Sequence, residues 1–300
     1  MSEWTFQRVA GPFGFTEGPL WTGDALLFTD MPGDRVLRYD PQTGSCTDWR
    51  TGTNRANGLT ADAAGRVYAA EGTFVPGSDR FVDGPGRRIA RYEADGSTTV
   101  ICDHIGGKRF NSPNDLVVDA LGRVWFTDPR YGDDRSHMEL SHESVYRADP
   151  QPDGSYTAVR VTFDTTKPNG LIMAPDTQTL YVAQSDYGTD TLRELRAYPV
   201  ADDGSLGSYE VVHNFGPHRG IDGMRLDAEG CIVATAGWNE SGPGPMIYIF
   251  APNGRVLETH PFPMNPTNCA FGDADGQSLY VTSVDGYLYR ARTQRRGLGS

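Results

Sequence analysis

Six acids and carboxamides stand at the head of six similar segments: Glu17 in Thr16-Glu17-Gly18-Pro19-Leu20, Asn57 in Asn57-Gly58-Leu59, Asn114 in Asn114-Asp115-Leu116, Asn169 in Asn169-Gly170-Leu171, Asp222 in Asp222-Gly223-Met224 and Asn268 in Asn268-Cys269-Ala270. Successive heads are 40 to 57 residues apart. If the recurrence sets them around one axis, two carboxylates and four amides share a narrow space. Such a set is costly to bury without a partner. A hard cation resolves the cost, because side-chain oxygens, with water in the remaining positions, suit Ca²⁺. Neither Cys nor His joins the ring, which argues against zinc as the native ion. An oxygen-rich site of this kind also accepts Mg²⁺, Mn²⁺ or Zn²⁺. Asn-Gly and Asp-Gly are common turn dipeptides as well. Glu17 is not a turn residue, and its place in the same series favours the cation.

The elements that would carry this ring follow from the repeat. Each head leads into an apolar strand such as Arg123-Val124-Trp125-Phe126-Thr127 or Thr179-Leu180-Tyr181-Val182-Ala183. A third strand alternates apolar with polar or basic residues, as in Arg35-Val36-Leu37-Arg38-Tyr39, with the period of two that marks a strand. A Gly-containing hairpin such as Ala94-Asp95-Gly96 then opens a fourth strand in the first five copies. A four-stranded unit of this kind has two apolar faces that only its neighbours can cover. Six of them predict an all-β fold, a six-bladed β-propeller in which the heads line the central channel. The sixth copy holds three strands, and the N-terminal Trp4-Thr5-Phe6-Gln7-Arg8-Val9 supplies its fourth, so that no sheet interface stays open. The chain then reads as one domain over residues 1–300.

The connections between second and third strands are long in four copies: 72–87, 129–143, 187–193 and 238–245. All rise from one end of the ring, where loops on a rigid scaffold build a site. The ends of the second strands face the same mouth. Asp30, Glu71, Asp128, Asp186 and Ser283 stand there, with Glu71 and Asp128 the best placed to orient a hydroxyl or a bound water. Asn57 and Asn268 are further substrate-contact candidates, and Arg130, Tyr131 and Trp238 are candidates for shaping the pocket.

Composition excludes several classes. The chain has 300 residues and a net charge of −12, a poor match for nucleic acid or an anionic membrane. It has no apolar run of membrane-spanning length and no basic, apolar leader at Met1-Ser2-Glu3-Trp4, which reads as a cytoplasmic protein. Cys46, Cys102, Cys231 and Cys269 form no CxxC pair and read as reduced thiols. No Gly-x-Ser-x-Gly elbow supports a serine hydrolase, and no phosphate-binding glycine motif follows a strand.

The series of motifs resembles the SMP-30/gluconolactonase/luciferin-regenerating-enzyme-like family, most closely its bacterial gluconolactonase branch. The matching stretches are Glu17-Gly18-Pro19-Leu20-Trp21, Arg109-Phe110-Asn111-Ser112-Pro113-Asn114-Asp115, Trp125-Phe126-Thr127-Asp128-Pro129, Pro168-Asn169-Gly170-Leu171, Ile221-Asp222-Gly223-Met224 and Pro266-Thr267-Asn268-Cys269-Ala270-Phe271-Gly272. The resemblance implies a six-bladed propeller holding one catalytic divalent ion, usually Ca²⁺, with ligands at Glu17, Asn114, Asn169 and Asp222. It implies Asp222 as general base and Arg109 as a substrate contact. The expectation is therefore a cation-dependent hydrolase that opens a small-molecule lactone, most plainly a sugar lactone. A phosphotriesterase on the same ion and a non-catalytic ligand-binding propeller are the alternatives.

Overall fold

The computed structural model describes residues 3–72, 84–186 and 192–298, and these contain no helix. Six four-stranded antiparallel sheets form a ring. The innermost strands are Thr16–Trp21, Ala56–Ala61, Leu116–Val118, Pro168–Met173, Ile221–Leu226 and Pro266–Gly272. Each packs on the next, and the last packs on the first. The sixth sheet is completed from the N-terminus as expected, over Gln7–Ala10, which pairs antiparallel with Leu288–Arg292. Tying the two ends of the chain into one sheet leaves no blade with an open face.

The strand patterns follow from this packing. Second strands such as Leu26–Asp30 and Val124–Asp128 are buried along their whole length, because both faces meet other blades. Outer strands such as Cys46–Thr51 and Glu210–Asn214 are mostly polar and face water. The apolar core divides into six clusters, one at each blade-to-blade interface. One expected loop is absent: residues 238–245 extend a hairpin, with strands Ile232–Trp238 and Ser241–Phe250 joined at Asn239 and Glu240. The expected insertions after the second strands of blades two and four lie largely outside the described residues, at 73–83 and 187–191.

The recurrent dipeptides are not turns. In five inner strands the pairing register slips by one residue, between Glu17 and Leu20, Ala56 and Leu59, Pro168 and Leu171, Ile221 and Met224, and Pro266 and Cys269. An extra residue in one strand is a β-bulge, which re-aims side chains. Here it turns the head residue toward the axis. The freed backbone groups are taken up by threonines of the second strands. Thr29 Oγ1 donates to Asn57 O at 3.0 Å, Thr235 Oγ1 to Gly223 O at 2.9 Å and Thr282 Oγ1 to Asn268 O at 3.2 Å.

Four of the six heads are followed by glycine, and the glycine has its own cause. Gly18 has φ +51°, and a Cβ there would lie 2.2 Å from Asn57 O of the next blade. Gly170 stands in the same relation to Asp222 O, at 2.5 Å. Both backbone atoms belong to the hub and have no room to retreat. Gly18→Ala is expected to destabilise the fold by about 2 kcal/mol or more, read as a lower urea midpoint. An unchanged midpoint would show that the hub is looser than this packing.

Candidate active site

The heads of five inner strands converge on one cavity of about 760 Å³ at an end of the ring. Glu17, Asn57, Asn114, Asn169 and Asp222 line it. Phe15, Pro32, Tyr131, Pro217, Trp238 and Val284 also line it, and Arg193, Arg219 and Ser241 add polar groups. The five head residues are each more than nine-tenths buried, although their nearest sequence neighbours in the set are tens of residues away.

The hub polar groups are incompletely satisfied by protein. Among the described residues the side-chain amides of Asn57 and Asn114 make no hydrogen bond. Asn169 Nδ2 donates to Tyr131 Oη at 2.8 Å and to Asp222 Oδ1 at 2.9 Å, and its amide oxygen has no donor among those residues. Glu17 Oε2 accepts from its own neighbour, Gly18 N, at 2.9 Å. Asp222 Oδ2 pairs with the Arg219 guanidinium. Burial, and then the negative charge of Asp222, hold the Glu17 carboxyl well above the usual carboxylate range. Burial also raises Asp222, against the opposing pull of Arg219 and Asn169. Two carboxyls that resist joint ionisation, ringed by open amide oxygens, are the donor set of a hard cation. The residues present fit such an ion.

A deeper layer lies under this ring. Asp115 is buried there and faces Arg225, whose Nη1 donates to Met224 O at 2.9 Å and whose Nη2 reaches Pro19 O at 3.4 Å. Asn268, the sixth head, does not line the cavity. Its Oδ1 accepts from Cys269 N at 2.9 Å and its amide packs on Gly223.

Of the five expected substrate contacts only Asn57 lines the cavity; besides Asn268, three others face other partners. Glu71 is enclosed by Asn54 Nδ2 at 2.7 Å, Arg88 Nε at 2.6 Å and Tyr92 Oη at 3.1 Å. Asp128 accepts from Asn111 N at 2.8 Å and Ser112 N at 2.7 Å. Arg109 sits on a short hairpin, His104–Ile105 with Lys108–Arg109, and donates to the carbonyls of Gly84 and Gly86. None of the three lines the cavity. The strand-end acids instead hold the segment that enters each inner strand: Asp30 accepts from Gly14 N at 3.1 Å in the same way. Ser283 bonds Asp285, and Asp186 accepts from Thr166 Oγ1 at 3.2 Å. Tyr131 and Trp238 do line the cavity, and Arg130 is buried with its backbone N–H on Glu143 at 2.6 Å.

Asp128 therefore positions Asn114 by fixing the turn before it. Burial pushes its carboxyl up to about 7, although two backbone N–H groups pull it down. The folded state binds this proton more tightly than the unfolded chain does. The group's contribution to stability thus falls as pH rises from about 4 to about 7. Relative to Asp128→Asn, the wild type is expected to be more favoured at pH 5 than at pH 8 in paired urea titrations. A difference that is flat or reversed with pH would refute this reading.

Among the described residues, Asp227, Glu229 and Cys231 also bring metal-capable atoms together. Arg295 already fills that cluster, with Nη1 2.5 Å from Asp227 and 3.6 Å from Glu229. Asp227 Oδ1 accepts from the Cys231 and Glu229 N–H groups. The arrangement is a tied turn with its own counter-ion. Sequence reading passed over Arg193 and Arg219. Their type carries no signal, and the one clue was the spacing of Arg219 to Asp222, three residues along Arg219-Gly220-Ile221-Asp222.

A six-bladed propeller with an oxygen-rich polar hub beneath one open cavity defines the class. The chain belongs to the SMP-30/gluconolactonase/LRE-like family, whose model matches residues 15–285. It is 32% identical to the gluconolactonase of Zymomonas mobilis over 96% of this chain and 81% of that protein. It is 29% identical to the pentonolactonase of Haloferax volcanii over 90% of this chain and 81% of that one. Among solved structures, a gluconolactonase from Xanthomonas campestris superposes with a TM-score of 0.78 at 32% identity, covering 96% of this chain and 89% of the other.

Proposed function

We propose that this protein is a divalent-cation-dependent lactonase acting on sugar lactones. The observation that carries the reading is the convergence of Glu17, Asn57, Asn114, Asn169 and Asp222 on one cavity. Family membership and the gluconolactonase and pentonolactonase relatives support it. Glu17, Asn114, Asn169 and Asp222 would hold the ion, with Ca²⁺ the best match to an all-oxygen set. When bound, such an ion polarises an ester carbonyl and stabilises charge developing on its oxygen.

The chain's own residues do the rest. Phe15, Tyr131 and Trp238 line the cavity, where they would pack against a lactone ring and restrict the water around it. Asn57 lies on the same floor and offers an amide to the substrate. Once ionised, Asp222 would take the proton of the attacking water on the free lone pair of Oδ2, whose other lone pair faces Arg219. The opened product is a hydroxy acid.

The test is proton release from a panel of sugar and aliphatic lactones, with and without chelator. Chelator-sensitive turnover of aldonolactones is the expected result. No acceleration with any lactone would remove the reading, and turnover indifferent to chelator would remove its cation.

A further inference from the structure

Asp222 is held from two sides, and one of its holders, Arg219, is a cation beside the hub. Arg219 lies in the same cavity, and its side chain is only 9% exposed. One arm of its guanidinium, Nη2, is on Asp222 Oδ2. The other, Nη1, donates to Gly237 O at 3.0 Å and to Pro266 O at 3.2 Å. Gly237 is on the second strand of blade five, and Pro266 opens the inner strand of blade six. The planar fork is thus anchored to two blades, and the Trp238 ring lies 5.8 Å from its centre. A guanidinium fixed in this way cannot swing aside without giving up two backbone carbonyls in a buried place.

Asp222 Oδ1 takes the Asn169 amide at 2.9 Å, and Asp222 and Asn169 both line the cavity. We propose that Arg219 is a positioning residue that keeps Asp222 Oδ2 from the ion, so that a hub cation meets Asp222 through Oδ1 alone. Two consequences follow. Asp222 is a one-oxygen ligand of fixed orientation, and the second oxygen is never available to the ion. Two cations also share one carboxylate, so Arg219 weakens ion binding by direct repulsion. Losing a group that orients a ligand ordinarily costs tenfold or more in metal affinity; here the partner is itself a cation, and its repulsion of the ion acts in the opposite direction. The sign here is set by charge: removing Arg219 tightens the site. The inference rests on the cation reading of the hub but not on which substrate is turned over.

The experiment is Ca²⁺ titration calorimetry on the full chain as wild type, Arg219→Gln and Arg219→Lys, with a crystal structure of the Ca²⁺-loaded wild type. Arg219→Gln is expected to bind Ca²⁺ about tenfold more tightly. Arg219→Lys keeps the charge and is expected to stay within about threefold of wild type. The loaded crystal is expected to show Asp222 bound through one oxygen with Arg219 on the other. A bidentate Asp222 with Arg219 turned away overturns the proposal. So does equal or weaker Ca²⁺ binding by an Arg219→Gln protein whose circular dichroism matches wild type. Should that variant fail to fold, the coordination seen in the wild-type crystal decides alone. If wild type takes up no Ca²⁺, the cation reading falls and this proposal with it. Uptake with a bidentate Asp222 defeats Arg219 only.

Discussion

Asp222→Asn is expected to lower kcat on a sugar lactone by about 10² or more. Asp222 has its side chain at the hub, one oxygen on Asn169 Nδ2 and the other on Arg219. The substitution preserves shape and removes the basic oxygen. It also sets an amide NH₂ against one of two donors, so part of the loss is geometric. For that reason turnover must be read beside ion content. Proton-release assays on protein whose Ca²⁺ is counted by elemental analysis separate the two. Near-wild-type kcat with a filled site would leave Asp222 no role as base.

The second large effect is at Glu17, and it has two opposite signs. Glu17→Gln removes one of the two ionisable head residues, and Ca²⁺ affinity is expected to fall by about 10². Lactone turnover should drop to the level of chelated wild type. Stability should move the other way when no ion is bound. Burial and Asp222 raise the Glu17 carboxyl well above its ordinary range. An acid raised on folding costs the folded state more as pH rises past its unfolded value. In chelator at pH 8, Glu17→Gln should therefore melt higher than wild type, while the Ca²⁺ needed to raise Tm should be about 10²-fold higher for the variant. Melts with Ca²⁺ and with chelator check both signs. A variant that melts lower in chelator, or gains as much as wild type at the same low Ca²⁺ concentration, would show that Glu17 is not a buried charge awaiting a cation.

The device that makes both predictions large is a β-bulge. A regular strand would send Glu17 and Gly18 to opposite faces of the sheet. The extra residue places the head on the axis and lets the following glycine lie against the next blade. Asn-Gly and Asp-Gly recur because of this backbone approach between blades. Their resemblance to turn dipeptides has a different origin.

The propeller was legible because its signal is periodic. Apolar second strands, alternating third strands and polar heads repeat in the primary structure, and a sheet with two apolar faces can be covered only by copies of itself. The polar ring was legible for the same reason: equivalent positions in equivalent blades must face one another. The N-terminal strand could be placed because three strands of the last blade had no fourth.

What only the tertiary structure decided is which side chains reach the cavity from outside the repeat. Glu71 and Asp128 occupy equivalent strand ends that the repeat directs toward the mouth, yet their carboxylates turn back to bind the chain entering their own blades. Arg109 is spent on the carbonyls of Gly84 and Gly86. Arg219 occupies the place beside the hub, paired with Asp222. Periodicity fixes the direction of a side chain on a strand. On a loop, direction is set by whichever buried backbone groups lack a partner, and that is known only once the blades are docked.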